Sequence, residues 1–283
     1  MGAGSDSDPF LLVQVPSLRD NELFFLILAP DRLHTDDCSC CREFRKVEPL
    51  LDALEVAQKD VQYIALDIAP VPVEEAISRF RKRYQHIQST GLWGTFGDGI
   101  EWLKKFNFGG PKWFLSLGSI FCYSDLEESV TELTWLATNA IGLQDRMLLG
   151  IDAETNRDIL WASYHDGEGR FERFISNGLQ TSNKLLGHDW YRPEDWEISS
   201  IFVDETNQEI GHAIVIRAKH DLACDPLGLK FSAGEEIRWI SGNKKGPSTM
   251  RKIFTTAGFK ELASWKASSG KFCKHHSFGQ GII

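Results

Sequence analysis

The stretch Val61-Gln62-Tyr63-Ile64-Ala65-Leu66-Asp67 (VQYIALD) has the pattern of a buried β-strand that ends in a carboxylate. Residues 23–28 (LFFLIL), 112–117 (KWFLSL) and 146–151 (RMLLGI) are similar apolar runs. Runs of this kind predict strands that are covered on both faces of a sheet. Helical patterns separate them, at residues 43–58, 73–84 and 125–139. This alternation predicts βαβ units and a mainly parallel sheet with helices on both faces.

The first predicted helix, residues 43–58, carries an apolar side made of Leu50, Leu51, Leu54 and Val56. The second half of the chain has a different pattern. A helical stretch at 168–186 precedes two alternating strands at 196–203 and 211–218, which predict antiparallel pairing. We further expect a strand over 234–241, a helix over 248–257 and the start of a closing hairpin at 259–265.

Charge and hydropathy narrow the class of partner. The chain has 283 residues and a formal net charge of -9, so it has no broad basic face for a phosphate backbone. A small molecule is therefore the expected partner, and nucleic acid is not. The longest apolar run, residues 23–30, is too short to span a bilayer, and the first eight residues lack a signal-peptide pattern. These features predict a cytoplasmic protein without a membrane partner.

Cysteines and histidines raise three alternatives to this view. Cys38, Cys40 and Cys41 lie near His34 and allow a zinc site, but the usual C-x-x-C spacing and a matching second pair are missing. Ordinary reduced thiols are the favoured interpretation, and a catalytic cysteine would need a base that the sequence does not indicate. We expect no metal, since the remaining histidines form no pair with helical spacing beside a carboxylate.

Asp67 is the first candidate for ligand binding. In a doubly wound sheet, ligands bind beyond the carboxyl ends of the strands, where an acidic residue can accept hydrogen bonds from a ribose diol. Asp67 has that position at the end of the second predicted strand. The alternative is a carboxylate that only caps the next helix.

Three segments carry a resemblance to a known family: residues 44–55 (FRKVEPLLDALE), 63–67 (YIALD) and 91–99 (GLWGTFGDG). They resemble the histidine-specific, S-adenosylmethionine-dependent methyltransferases, which include ergothioneine-pathway histidine N-methyltransferases and fungal dimethylallyltryptophan N-methyltransferases. Nearly everything after residue 42 is covered, in family order. Further matches are residues 117–119 (LGS), 149–152 (LGID), 164–166 (YHD), 174–179 (FISNGL) and 234–236 (GEE).

The resemblance implies a fold, a cofactor and a set of site residues. The fold would be α/β, a Rossmann-like class I methyltransferase core with an α+β insertion that forms a substrate cap. The cofactor would be S-adenosyl-L-methionine. Asp67 would hold the ribose. The adenine would be lined by Thr95, Phe96 and Asp98. The floor beneath the methionine moiety would be formed by Leu117, Gly118 and Ser119. Tyr164 and Phe174 would enclose the acceptor, although either ring could instead belong to the core. No catalytic residue is indicated.

Four features depart from the family pattern. Residues 37–42 (DCSCCR) replace its glycine-rich loop, and the chain has no counterpart of its N-terminal helical section. Tyr123 stands where the family has an asparagine that grips the substrate carboxylate, so Tyr123 becomes a substrate-binding candidate. Ile240 and Gly242 replace a glutamate and a serine that contact the acceptor. An α-amino acid would lose several polar partners here, so we expect a different acceptor.

Two hypotheses follow for the function. The first is an N-methyltransferase that acts on a small metabolite, as in fungal secondary metabolism. The second is a methyltransferase-fold protein without methyl transfer, either a scaffold or a cyclase or isomerase that uses the aromatic pocket. The expected organisation is a divergent segment at 1–42, a cofactor-binding core at 43–165, the substrate cap at 166–245 and a return to the core sheet at 246–283.

Overall fold

The computed structural model describes residues 23–28, 44, 46–106, 111–119, 121–165, 167–203, 209–266 and 273–279, with the backbone alone for 23–28, 266 and 273–279. The first half of the chain alternates strands with helices. The strands are β1 (Leu23–Leu28), β2 (Val61–Asp67), β3 (Ile87–Trp93), β4 (Lys112–Ser116) and β5 (Arg146–Ile151). The helices are α1 (Glu48–Val56), α2 (Pro70–Arg83), α3 (Phe96–Lys105), α4 (Leu126–Asn139) and α5 (Arg157–Tyr164).

The second half of the chain supplies the remaining elements. Its helices are α6 (Arg170–Leu186) and α7 (Pro247–Thr256). Its strands are β6 (Trp196–Val203), β7 (Glu209–Ala218), β8 (Leu222–Cys224), β9 (Leu229–Phe231), β10 (Glu236–Lys245), β11 (Phe259–Lys266) and β12 (Cys273–Gly279).

The main sheet has seven strands in the order β11-β12-β5-β4-β1-β2-β3. Strands β1 to β5 run parallel, and β12 pairs antiparallel with both of its neighbours. The order β3-β2-β1-β4-β5 is that of a Rossmann sheet, in which the chain changes direction across the sheet at β1. The predicted α/β, Rossmann-like core is therefore confirmed, as is the predicted closing hairpin of β11 and β12.

Helices cover both faces of this sheet, which explains why β2 is buried along its whole length. Tyr63 and its face pack against α1 and α2, whereas Ile64 and the opposite face pack against α3, α4 and α7. Each residue of β2 therefore meets an apolar layer, as its sequence predicts.

A second, smaller sheet has the antiparallel order β10-β7-β6. It has its own apolar core with α6, in which Ile175 and Leu179 pack on Ile214 and Ile216. Strands β8 and β9 form a separate two-stranded hairpin. The antiparallel pairing predicted for residues 196–218 is confirmed.

The first helix is shorter than its pattern suggests. Predicted over residues 43–58, it begins at Glu48 and ends at Val56, because Gln58 has a left-handed φ of 51° that cannot continue a helix. Leu51 is buried as expected, but Val56 is 85% exposed, so its assignment to the apolar side is wrong. At 100° per residue, Val56 lies about 140° around the helix from Leu51.

Candidate functional site

Three loops lie at the carboxyl edge of the main sheet, on both sides of β1. The loops that follow β2 and β3 lie on one side, and the loop that follows β4 lies on the other. Asp67 ends β2, Thr95 and Phe96 follow β3, and Leu117 to Ser119 follow β4. The structure therefore brings these six residues to the edge where such sheets bind ligands, and the seventh residue expected at the cofactor, Asp98, lies in the first turn of α3.

Asp67 is buried at the end of β2. It is 8% exposed, and its Oδ1 accepts a hydrogen bond from the Ala69 N–H at 2.9 Å. Trp93 of β3 is its register partner, and the Trp93 indole Nε1 donates to the Ile68 carbonyl at 2.8 Å. A buried carboxylate thus lies beside a half-exposed aromatic ring, a pair of groups that fits a nucleoside.

Thr95 caps helix α3. Its Oγ1 accepts from the Asp98 N–H at 3.2 Å, while the Thr95 N–H donates to Asp98 Oδ2 at 2.8 Å, which completes a capping box. Hydrogen bonds from the Thr95 backbone and side chain lower the pKa of Asp98. Both side chains therefore have a structural role here, and their contact with adenine stays a prediction.

Phe96 connects the loop after β3 with the loop after β4. Its ring stacks on Phe121, with the ring centroids 5.5 Å apart and the planes 15° apart. Phe121 is buried, and Phe96 is partly buried against the same core cluster. The two cofactor-side loops thus share one apolar contact.

The loop after β4 approaches β5 closely. The Ser119 N–H donates to the Gly150 carbonyl at 2.9 Å, and Ser119 Oγ accepts from the Asp152 N–H at 3.0 Å. A Cβ on Gly150 would stand 3.0 Å from the Leu117 carbonyl oxygen, so a side chain there would force the two backbones slightly apart, and glycine allows their close approach. Ser119 itself has a left-handed φ of 60°, an uncommon conformation that the surrounding bonds enforce.

Lys245 at the end of β10 joins the second sheet to this loop. It is 1% exposed, and its Nζ donates to the Cys122 carbonyl at 3.0 Å and to the Ser124 carbonyl. Glu209 lies 3.6 Å from Nζ, and burial lowers the pKa of Lys245. The Asn243 N–H also donates to the Tyr123 carbonyl at 2.6 Å. We call this contact, residues 121–124 with residues 242–245, the sheet junction.

Tyr123 lies at the sheet junction with its side chain 43% exposed. Its Cδ2 is 4.0 Å from the point where a Cβ on Gly242 would stand. Tyr123 and Gly242, two of the positions that depart from the family pattern, are thus neighbours, because the tyrosine ring faces the space that the glycine leaves. The role of Tyr123 toward a substrate stays a prediction.

Tyr164, at the end of α5, lies among polar groups of both sheets. Its ring stacks on His212 of β7 at a centroid distance of 4.3 Å. Lys244 Nζ lies 5.8 Å from the Tyr164 ring centroid and 3.0 Å from Asp152 Oδ2. Burial by itself lowers the pKa of Lys244, but Tyr164 and Asp152 outweigh it and raise the pKa. Lys244 is therefore a charged, shielded cation.

Phe174 lies apart from this group, on α6 and against the core of the second sheet. It reaches Tyr164 only through Phe171, whose ring is 6.0 Å from Phe174 and 4.9 Å from Tyr164. The structure therefore places Phe174 in ordinary core packing, and its substrate contact stays a prediction.

The sequence patterns did not identify Lys244 and Lys245 as residues of the site. Two consecutive lysines at the end of a strand point to opposite faces, so one of them meets the protein interior when one face of the sheet is covered. That spacing was the available signal. Their partners Asp152 and Glu209 are far away in sequence and had no signal of their own.

Two further expectations concern metals and membranes. Cys38, Cys40, Cys41 and His34 lie outside the described residues, as does the loop 37–42. Within the described part of the chain, no group of three or more histidine, cysteine or acidic side chains is placed to hold a metal ion. None of the helices described is long and apolar enough to cross a membrane.

Several fungal proteins have sequences similar to that of this chain. It is 27% identical over 241 residues to the N-methyltransferase dtpB of Aspergillus flavus, covering 82% of this chain and 67% of that protein. It is 29% identical over 234 residues to the 4-dimethylallyltryptophan N-methyltransferase easF of Arthroderma benhamiae, covering 78% and 67%. Ergothioneine biosynthesis protein 1 of Neurospora crassa is 28% identical over 222 residues, but the match spans only 25% of that longer protein.

A family model also matches most of this chain. The model for histidine-specific, SAM-dependent methyltransferases matches residues 41–277, which includes every element from α1 to β11 and most of β12. This chain therefore belongs to the histidine-specific, S-adenosylmethionine-dependent methyltransferases, a family of enzymes whose cofactor is S-adenosylmethionine.

Proposed function

We propose that this chain transfers the methyl group of S-adenosylmethionine to a nitrogen atom of a small metabolite. The observation that carries this proposal is the convergence of Asp67, Thr95 to Phe96 and Leu117 to Ser119 on the carboxyl edge around β1. Fungal relatives named as N-methyltransferases support nitrogen as the atom that is methylated.

Each cofactor-side residue has a role that its chemistry supports. The buried Asp67 carboxylate would accept hydrogen bonds from the ribose hydroxyls, and the rings of Trp93 and Phe96 would contact the adenine. The backbone of Leu117 to Ser119 would lie beneath the methionine moiety. The cofactor supplies an electrophilic sulfonium methyl, so the protein has to align the acceptor and exclude water.

The acceptor would lie at the sheet junction. Tyr123 and Tyr164 offer aromatic walls there, and Gly242 leaves space between the second sheet and the loop after β4. The Lys244 charge is matched by Asp152 at 3.0 Å, so the described residues at this junction offer no spare cation for a substrate carboxylate. We therefore infer a small aromatic amine without an α-carboxylate as the acceptor.

The organisation expected from the sequence also belongs to this proposal. Residues 43–165 would form the cofactor-binding core and residues 166–245 the substrate cap, with 1–42 as a divergent segment and 246–283 returning to the core sheet. The acidic net charge and the soluble composition support work in the cytoplasm on a small molecule, without nucleic acid or membrane as a partner.

Calorimetry with S-adenosylhomocysteine tests the cofactor half of the proposal. We expect the Asp67→Ala variant to bind S-adenosylhomocysteine about 10- to 100-fold more weakly, because a hydrogen bond to a charged group is worth about 1.5–3 kcal/mol. The matched control is Asp60→Ala, just before the opposite end of the same strand, where the side chain is 69% exposed. An unchanged affinity in Asp67→Ala would contradict the role of this residue.

Turnover measurements test the acceptor half. Release of S-adenosylhomocysteine from S-adenosylmethionine is measured with tryptamine and phenethylamine, and in parallel with tryptophan and phenylalanine. We expect methylation of the amines only. Binding of S-adenosylhomocysteine without methylation of any of the four compounds would favour a methyltransferase-fold protein that no longer transfers methyl groups.

A further inference from the structure

His212 is an unusual residue at the centre of the second sheet. It lies on β7, opposite Phe202 of β6 on one side and Gly242 of β10 on the other. The side chain is only 5% exposed, yet its Nε2 has no hydrogen-bond partner in the described part of the chain. A buried polar nitrogen without a partner destabilises a fold, so such a group calls for a functional explanation.

The surroundings of His212 are aromatic on three sides. The Tyr164 ring stacks on it at 4.3 Å with an interplanar angle of 15°. The Phe202 and His165 rings stand edge-on to it at 5.7 and 6.2 Å. These rings fix the orientation of the imidazole but offer no partner for Nε2.

The cross-strand neighbour of His212 on β10 is glycine, so no β10 side chain lies over the buried imidazole. Residues that pair directly across an antiparallel ladder present their side chains on the same face. Gly242 has no side chain to fill that face, and Tyr123 borders the space, 4.0 Å from the point where a Cβ would stand. Tyr123 and the cross-strand residue His212 therefore both border the position that Gly242 leaves without a side chain, and Tyr164 stacks on the His212 ring.

We propose that His212 is a specificity-determining residue whose Nε2 binds a hydrogen-bonding group on the ring of an aromatic acceptor. This inference rests on the proposed function and deepens it, because it names the group that selects the acceptor. The acceptor ring lies in the space beside Gly242, against Tyr123, and carries a ring hydroxyl or ring N–H at the edge that meets His212.

The charge state of His212 agrees with this role. Burial, then the nearby charges of His165 and Lys244, lowers the pKa of His212 to about 4. The imidazole is thus neutral at pH 7, so it can donate or accept a hydrogen bond and does not repel a methylated, positively charged product. A group with so low a pKa is a weak base, and we assign it binding and not proton removal.

A binding experiment on two matched pairs of amines tests the proposal. Tyramine is compared with phenethylamine, and tryptamine with 1-methyltryptamine; within each pair, only the first compound has a polar hydrogen on the ring system. Each amine is titrated calorimetrically into the complex of the full chain with S-adenosylhomocysteine. We expect the first member of each pair to bind about tenfold more tightly to the wild-type protein.

The variants separate a specificity role from a structural one. His212→Phe keeps a ring on Tyr164 and removes the nitrogen, so we expect it to retain S-adenosylhomocysteine affinity within twofold and to bind both members of each pair equally. His212→Gln keeps a polar group and should retain part of the preference. His220→Phe, at an exposed histidine paired with Asp195, is the matched control and should behave as wild type.

Three results would overturn the proposal. The preference could persist in His212→Phe, it could be absent from the wild-type protein, or none of the four amines could bind to the complex. Failure of the wild-type protein to bind S-adenosylhomocysteine would instead contradict the proposed function. In that case the same titrations into the ligand-free chain, together with the His212 Nε2 chemical shift, test His212 on its own.

Discussion

At the scale of single residues, Lys245 shows how one buried side chain can join two parts of the fold. Its ammonium donates to two carbonyls of the loop after β4 and lies near Glu209 of β7. Loss of the ammonium removes a buried donor from both carbonyls and a positive charge from beside Glu209, which keeps its contact with Asn243 Nδ2 at 3.4 Å. Removal of one partner from a buried ion pair lowers the free energy of unfolding far more than removal of one partner from a surface pair does.

We therefore expect Lys245→Met to lower the free energy of unfolding by about 3 kcal/mol. Lys230→Met, at an exposed lysine on β9, should change it by less than about 0.5 kcal/mol. Urea unfolding followed by circular dichroism measures both values. Equal effects of the two substitutions would show that the ammonium does not stabilise the sheet junction.

His212 provides a prediction about pH. Its pKa is about 4 in the folded chain against 6.5 for an unperturbed histidine, so between these values the unfolded chain binds more protons than the folded chain. Folding stability contributed by this group is therefore complete above pH 6.5 and falls as the pH drops from 6.5 to 4. In His212→Phe this part of the decline should disappear.

Urea midpoints at pH 8.0, 7.0, 5.5 and 4.5 check this prediction. The wild-type midpoint should fall more steeply over this range than the midpoint of His212→Phe, and the two proteins should differ least in slope above pH 7. His220→Phe, which changes an exposed histidine, provides the control. Parallel declines in all three proteins would mean that His212 titrates as it does in water.

At the scale of elements, Thr95 caps helix α3, and this structural role has to be separated from a contact with the cofactor. A threonine that caps a helix contributes about 1 kcal/mol to the free energy of unfolding. Replacement by serine keeps the oxygen atom that caps the helix. We expect Thr95→Ala to lower the free energy of unfolding by about 1 kcal/mol and Thr95→Ser to leave it nearly unchanged. The capping box with Asp98 is the physical reason.

The same two variants separate the cap from a contact with the cofactor. Urea unfolding reports the cap, and calorimetry with S-adenosylhomocysteine reports the contact. If Thr95→Ala loses stability and keeps its affinity, the residue acts through the helix alone. A loss of affinity in Thr95→Ala that Thr95→Ser restores would add a direct role for the hydroxyl.

Apolar strands were predictable at this scale, whereas polar ones were not. The bounds of β2, β5 and β6 agree with their sequence patterns to the residue, because each strand is rich in apolar or β-branched side chains. Strand β3 (IQSTGLW) has Ser89, Thr90 and Gly91 at its centre, and these are buried only because β2 and α2 cover them. Helix α3 contains Gly97 and Gly99, which weaken its helical pattern.

At the scale of the whole molecule, the cofactor edge was predictable and the sheet junction was not. The ends of recognisable strands locate Asp67 and the Leu117 to Ser119 segment, since parallel strands share one carboxyl edge. The junction depends on contacts such as Lys245 with Cys122, which are 123 residues apart in sequence. Only the folded chain brings the end of β10 onto the loop after β4.

A last prediction concerns the ion pair of Lys244 and Asp152, which joins β10 of the second sheet to the residue just after β5 of the main sheet. The side chains are 15% and 20% exposed, so water shields the pair less than it shields a surface pair. A double-mutant cycle of Lys244→Met and Asp152→Asn, measured by urea unfolding, should give a coupling energy of about 1–3 kcal/mol.

The control cycle uses Lys104 and Glu101 on α3, whose side chains are 47% and 63% exposed at a similar distance of 2.8 Å. This pair should give a coupling energy of about 0.3–0.5 kcal/mol, as is usual for exposed pairs within one helix. If the Lys244 pair gave no more than that, this ion pair would add little to the apolar contacts and the Lys245 and Asn243 hydrogen bonds that join the second sheet to the core. A larger value would mean that the charge beside Tyr164 also fixes the geometry of the space in which the acceptor is proposed to bind.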